Sequence, residues 1–359
     1  MARGISRQLV VLLCAVTLSA QQKPTRQQRS AMDRVSVESL RANLTYLASD
    51  ELEGRNTPSR GLDKAADYIA EQFKKAKLEP INGSYFQTAS LSDFGTRGAQ
   101  IERGLPEGSP KTMRNVAGLL RGSDSKLRDT YIIVSSHYDH VGLASTGDDR
   151  IFNGANDDAS GASSVIELAR ALAGAKPKRS ILFMTFFGEE RGLWGSRYYG
   201  QHPLVPIAST IAQLNLEQIG RTDATNGPQV KGANITGFDF SNMPAVLADA
   251  ALLAGVRIWK DASSSDAYFG RSDNQTLADL GIPAHTLSVA YDFPDYHKVT
   301  DTADKIDYDN MATVDRALAL GLLKLASEPA PPNWNESYAP ATRYAEAYRK
   351  LHGVSSAPR

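Results

Sequence analysis

The sequence predicts an α/β fold, a mainly parallel mixed sheet with helices on both faces, and three observations carry that prediction. Short apolar runs, "YIIVSS", "SILFMTFF" and "TIAQLNL", recur between residues 131 and 216. A segment of helical period, "GASSVIELARALAG", stands between the first two, with Val165, Leu168 and Leu172 on one side. Each apolar run also leads into a polar turn loaded with carboxylates or imidazoles. Strands that alternate with helices pair in parallel and are covered twice, because each crossover helix must pack on a sheet face.

The elements follow in order. "MARGISRQLVVLLCAVTLSAQQ" has Arg3 and Arg7, an apolar run from Leu9 to Leu18, then small residues, the layout of a secretory signal peptide over residues 1–20. The run is too short to span a bilayer, so export without a membrane anchor, to the periplasm or beyond the cell, is expected. Residues 21–34 are polar and read as a disordered linker. A single catalytic domain is expected over 35–328. It opens with helices in "VESLRANLTYL", where Leu40, Leu44 and Leu47 share a side, and in "GLDKAADYIAEQFKKAKL", where Ala66, Ile69 and Phe73 face inward.

Residues 80–114, rich in Gly, Ser and polar side chains, read as hairpins and loops. Helices are expected again in "NMPAVLADAALLAGV", "SDNQTLADLG" and "MATVDRALALGLLKLA", with a strand at "IPAHTLSV". "PAPP" at 329–332 closes the domain, and the tail over 329–359 should hold one appended helix. No internal repeat, low-complexity tract or core of a second domain is read in the sequence, so one catalytic domain is expected.

Composition narrows the function. The 359 residues are 42% hydrophobic, enough for a substantial core. Forty basic against forty acidic residues argue against a nucleic-acid partner, which needs a basic surface. Cleavage after Ala20 would remove Cys14, the one cysteine, and with it any disulfide or thiol chemistry.

The chemistry lies in the turns. In "SSHYDHVG", His137 and His140 flank Asp139 where the first apolar run ends, and ligands of open α/β sheets bind at the carboxyl ends of strands. "NGANDDASG" holds Asp157 and Asp158, "FFGEERG" holds Glu189 and Glu190, "LNLEQIGR" holds Glu217, and "DYHKVTDT" offers His297 beside Tyr296 and near Asp301. Each cluster also has a plain structural reading: the aspartates as helix caps, the glutamates as a solvated turn, a histidine as a hydrogen-bonder. Their recurrence at strand ends favours a metal site instead. Asp157, Glu190 and Glu217 carry three negative charges, and a bridging hydroxide would balance the four positive charges of two zinc ions.

The ordered set "LASDELEGRNTPSRGLDKAADYIAEQF", "NVAGLLRGSD", "SSHYDHVG", "NGANDDASGASSVIELAR", "FFGEERGLWGS", "LNLEQIGR", "SDNQTLADLGIPA" and "YHKVTDTADKID" resembles metallopeptidase family 28 of clan MH. It looks closest to exported bacterial co-catalytic zinc aminopeptidases, from about Leu47 to Lys324. The resemblance implies the zinc-exopeptidase, phosphorylase/hydrolase-like fold and two zinc ions per chain. It implies His137 and Glu217 on the first ion, Glu190 and His297 on the second, Asp157 bridging, and Glu189 as general base. Asp139 would orient His137 through its carboxylate, and Tyr296 is either an oxyanion donor or a packing tyrosine. His140 reads as a loop residue outside the metal set, His285 as core, and His202 and His352 as structural or exposed.

Two departures from the family pattern stand out. Glu217 replaces the shorter Asp of many relatives, and Asn274 and Leu277 occupy positions expected to alter the substrate-facing wall. The interval before Tyr131 is too short for the protease-associated domain of some relatives, so the lid should be modest and suit small peptides or free chain ends. A zinc aminopeptidase acting on peptides is the leading expectation. A carboxypeptidase or single-zinc glutaminyl cyclase on the same scaffold is the alternative, and a non-catalytic secreted binding protein the third.

Overall fold

The computed structural model describes residues 23–225 and 227–354. The signal-peptide segment therefore lies outside the described residues. Among the described residues eight strands form one sheet: β1 (Phe86–Ser90), β2 (Thr112–Leu120), β3 (Tyr131–His137), β4 (Ser180–Phe186), β5 (Thr210–Leu216), β6 (Gly232–Ile235), β7 (Arg257–Trp259) and β8 (Ala284–Ser288). Their order across the sheet is β1-β2-β4-β3-β5-β8-β6-β7. The central strands β4, β3, β5 and β8 are parallel neighbours, and antiparallel pairing sets in at β2 and β6 on either side.

The side-chain alternation of these strands explains why both faces are covered. Along β3, Ile132 and Val134 join one hydrophobic core while Tyr131 and Ile133 join the other. Along β4, Ile181 and Phe183 go to the first core and Leu182, Met184 and Phe186 to the second. A strand with two apolar faces is stable only between two layers, since leaving a Leu or Phe side chain in water costs about 1.5–3 kcal/mol.

Among the described residues the layers are ten helices: α1 (Arg26–Arg34), α2 (Val37–Leu47), α3 (Arg60–Lys75), α4 (Gly95–Gly104), α5 (Gly161–Leu172), α6 (Trp194–Gln201), α7 (Met243–Leu252), α8 (Asn274–Asp279), α9 (Tyr308–Ser327) and α10 (Thr342–His352). Helices α2, α3, α5, α7 and α9 pack on the first core. Helix α5 is buried on every side, not only on its Val165–Leu168–Leu172 stripe, because α2 and α9 close over its outer face. The second core takes residues from α8 and α10 together with Tyr199 of α6. Among the described residues no helix is long and apolar enough to cross a membrane.

Three segments differ from the expectation. Residues 26–34 are a helix rather than linker. Thr25 and Gln28 form a reciprocal cap, Ala31 is buried, and the Arg34 Nε donates to the Ala171 carbonyl at 2.9 Å. So polar a segment shows no apolar period; it docks through one small residue and a cation that seeks carbonyls. Within residues 80–114, α4 forms where loops were expected. It lies so close to Leu91 that a Cβ on Gly98 would sit 1.9 Å from the Leu91 carbonyl oxygen. The tail does more than append a helix: Trp334, Tyr344 and Ala345 belong to the second core, and Trp334 Nε1 donates to Gly281 O at 2.7 Å. His285 is in β8, buried between Thr236 O (2.8 Å) and Ser241 Oγ (2.6 Å), and burial lowers its pKa to about 4, leaving a neutral core ring.

Candidate metal centre

Because β3, β4, β5 and β8 run parallel, their carboxyl ends share one edge of the sheet, and each delivers chemistry there. His137 is the last residue of β3. Glu189 and Glu190 follow β4, Glu217 follows β5, and His297 lies in the loop after β8. Asp157 sits in the turn that precedes α5. Asp301 accepts the backbone N–H groups of Asn156 (3.0 Å) and Asp157 (3.1 Å), which holds that turn in place. Asp158 accepts from Gly161 N and Gln218 N, both at 3.0 Å, and so ties the start of α5 to the end of β5.

The five residues implied as ligands come together. His137 Nε2 is 3.3 Å from Asp157 Oδ1 and 3.8 Å from Glu217 Oε1. His297 Nε2 is 3.1 Å from both Asp157 Oδ2 and Glu190 Oε1. Two donor sets result, each able to hold a metal ion: His137, Asp157 and Glu217, and His140, Asp157, Glu190 and His297. Asp157 offers an oxygen to each.

The donor atoms fit a metal better than they fit one another. His137 Nε2, His297 Nε2 and Asp157 Oδ2 are buried and make no hydrogen bond, although oxygens lie about them at hydrogen-bonding distances. Buried donor atoms this close that do not pair with one another fit a set of ligands better than a hydrogen-bond network. Without a cation the carboxylates draw protons onto the imidazoles instead. Asp157 and Glu190 push His297 up to about 10. Burial opposes protonation of His137, but Asp139, Asp157 and Glu217 outweigh it and raise that ring as well. Metal binding must displace these protons, so affinity must fall as pH falls.

Glu189 belongs to neither donor set and stands at the cavity beside them. It is partly open, yet the surrounding walls withhold enough water to push its carboxyl well above the usual range, against the pull of His137. The cavity has a volume of about 290 Å³, and Tyr268, Arg271, Ser272, Thr286 and Tyr291 complete its far wall. Tyr296 is half exposed, stacked on the His297 ring at 4.0 Å, and also lines the cavity.

Three readings of the sequence need correction here. His140 is not outside the cluster: it is fully buried, with Nδ1 3.1 Å from Glu190 Oε1 and 3.8 Å from Asp157 Oδ2. The loop turns inward because Arg55, buried and 83 residues upstream of Tyr138, donates to the carbonyls of Tyr138 (2.8 Å), Asn153 (2.7 Å) and Gly154 (2.9 Å), and also to that of Leu47. Arg55 O in turn accepts the His140 N–H. Asp139 faces His137 Nδ1 mainly through its backbone carbonyl (3.2 Å); its carboxylate is 3.6 Å away and instead accepts Thr57 Oγ1 and Glu189 N, each at 3.0 Å. Asn274 and Leu277 are buried behind the wall, Asn274 accepting from Thr286 Oγ1 at 2.8 Å, so neither faces a substrate.

Comparison with known proteins now bears on this site. Residues 115–321 match the family model described as "Peptidase family M28". Among curated relatives, a "Probable zinc metalloprotease" of Pyrenophora teres f. teres is 31% identical over 210 residues, 57% of this chain and 41% of that protein. One from Pyricularia oryzae is 30% identical over 217 residues, 57% of this chain and 40% of that protein. The chain thus spans about two fifths of the length of these relatives. Among solved structures, an aminopeptidase from Aneurinibacillus sp. strain AM-1 aligns with TM-score 0.63 at 21% identity, over 85% of this chain and 97% of that one. A glutaminyl cyclase of Porphyromonas gingivalis aligns with TM-score 0.58 at 18% identity, over 80% and 97%. At such identities these structures establish the shared fold.

Proposed function

Because the chain belongs to peptidase family M28, matched over more than half its length, we propose that it is a zinc-dependent exopeptidase that removes residues from the N-termini of peptides. One observation carries the reading: two donor sets share Asp157 on the floor of a cavity whose wall is Glu189. His137, Asp157 and Glu217 would hold one zinc ion, and Asp157, Glu190 and His297 the other. Zinc bound there supplies a Lewis acid for the scissile carbonyl and lowers the pKa of water to near neutrality.

The chain's own residues do the rest. Glu189 takes the proton of the attacking water and returns it to the departing amine. The walls that raise its affinity for a proton make its carboxylate a stronger base than one in open water. Asp139, through the Glu189 N–H, and Thr57, through Asp139, keep that turn from shifting. Tyr296, which lines the cavity and stacks on His297, would offer its hydroxyl to the developing oxyanion.

Polarity follows from charge. Asp157, Glu189, Glu190, Glu217 and Asp292 line the cavity, and Arg271 is its only cationic lining residue among those described. Two zinc ions would offset Asp157, Glu190 and Glu217, leaving Glu189 and Asp292 against Arg271; that small acidic excess favours an α-ammonium group over a C-terminal carboxylate and supports the aminopeptidase reading. The retained His137, completing a second donor set, counts against a one-zinc cyclase. Export, expected from the signal-peptide-like pattern of residues 1–20, is part of the same proposal.

Purified protein should hydrolyse aminoacyl anilides and dipeptides with free N-termini at least about 100-fold faster than their N-acetylated forms, because a site built around a charged amine rejects its neutral analogue. Chelation should stop this activity and zinc restore it. Preferential cleavage of N-blocked peptides at an acidic C-terminal residue would reverse the assigned polarity.

A further inference from the structure

We propose that His140 is a fourth protein donor to the second metal position, making the two positions unequal; the inference rests on the two-metal reading above. The observation is a symmetry between two imidazoles. His297 Nε2 approaches Asp157 Oδ2 and Glu190 Oε1 at 3.1 Å each, and His140 Nδ1 approaches the same two oxygens at 3.8 and 3.1 Å. Four donors about 2.1 Å from one ion in a tetrahedron stand about 3.4 Å apart, and these separations bracket that spacing. A neutral imidazole also adds a donor without disturbing the balance of three carboxylates and one hydroxide against two divalent cations.

The chain is built to hold His140 there. A Cβ on Gly154 would lie 2.5 Å from the His140 ring, so only glycine leaves room for it, and Gly154 has the positive φ of 57° that glycine accepts. The Arg55 fan of carbonyl contacts fixes the backbone on both sides, at Tyr138 and at Asn153–Gly154. The ring is fully buried and meets His297 edge-on, with centroids 5.4 Å apart.

The consequence is a division of labour. The second position is closed by four protein donors, as structural zinc sites are, whereas the first has three and keeps a place for water or substrate, as catalytic ones do. The second position should fill first and hold its ion longest.

The rival role for His140 is a hydrogen bond from Nδ1–H to Glu190 Oε1, which the 3.1 Å separation also allows. Calorimetric titration of chelator-treated full-length protein with Zn2+ separates the two. Wild type should show a tight and a weaker event. In His140→Ala and His140→Asn alike, the tight event should weaken by more than about 100-fold, beyond the roughly 10–100-fold that loss of an outer-sphere partner costs, with the weaker event unchanged. Asn can still donate a hydrogen bond to Glu190 but is a poor zinc ligand, so His140→Asn with both events intact would overturn the proposal. So would both variants titrating like wild type. A single event in wild type would remove the two-ion reading, and its loss in both variants would still support His140 as a donor.

Discussion

Glu189→Gln should lower kcat by about 10²–10⁴-fold and leave two zinc ions per chain. The size follows from what general-base catalysis contributes, and the retained metal follows from geometry, because Glu189 belongs to neither donor set. The amide matches the carboxylate in shape. The one hydrogen bond that fixes this turn to Asp139 uses the Glu189 backbone N–H, which the substitution leaves in place. The loss should fall on kcat rather than KM, since the group acts on a proton in flight and not on the resting substrate. Metal analysis and steady-state kinetics on one preparation check both halves. Full activity in the variant would remove Glu189 from the mechanism, and lost zinc would make it a ligand.

The second large effect belongs to Asp157. Replacing it with alanine should reduce bound zinc from two ions to no more than one and take activity down by more than about 10³-fold, because it alone contributes to both donor sets. Without it the first position keeps only His137 and Glu217, too few to hold an ion that needs three protein ligands. The carboxylate is also the charge on which the others depend. Burial by itself would raise its pKa, yet His137 and His297 hold it well below the usual carboxylate range. A variant that still binds two ions would show that the positions do not share this residue. Elemental analysis after dialysis against zinc-free buffer reads the outcome directly.

How much of this was legible in the sequence depends on what kind of signal each residue leaves. The central strands announce themselves, because a strand apolar on both faces has no stable place outside a covered sheet. Their parallel direction then brings His137, Glu190, Glu217 and the turn before α5 to one edge without any further information. His140 left no such trace. Its inward turn is imposed by Arg55, a buried cation in the lead-in motif whose four carbonyl partners are spread from Leu47 to Gly154. Periodicity describes which face of an element is buried, and it is silent about a loop drawn in by a distant arginine.

The same limit explains Asp139, Asn274 and α1. The position of Asp139, two residues after His137, suggests a carboxylate–imidazole contact, whereas the folded chain turns the carboxylate toward Thr57 and the Glu189 amide. Asn274 sits in a motif that faces the site in sequence terms, yet the start of α8 points it at Thr286 behind the wall. Helix α1 is too polar to show an apolar stripe and is held by capping and by an arginine–carbonyl bond. For Asp139 and for the arginine of α1 the partner is far away along the chain, and for Asn274 it is on the neighbouring strand β8.

The central claim is that His137, Asp157, Glu190, Glu217 and His297 hold two cations that share Asp157. Anomalous diffraction at the zinc absorption edge, from crystals of the zinc-loaded protein, tests it most directly. Two peaks about 3.5–4 Å apart are expected, one on each side of the Asp157 carboxylate. One peak alone, or zinc bound away from this carboxylate, would contradict it.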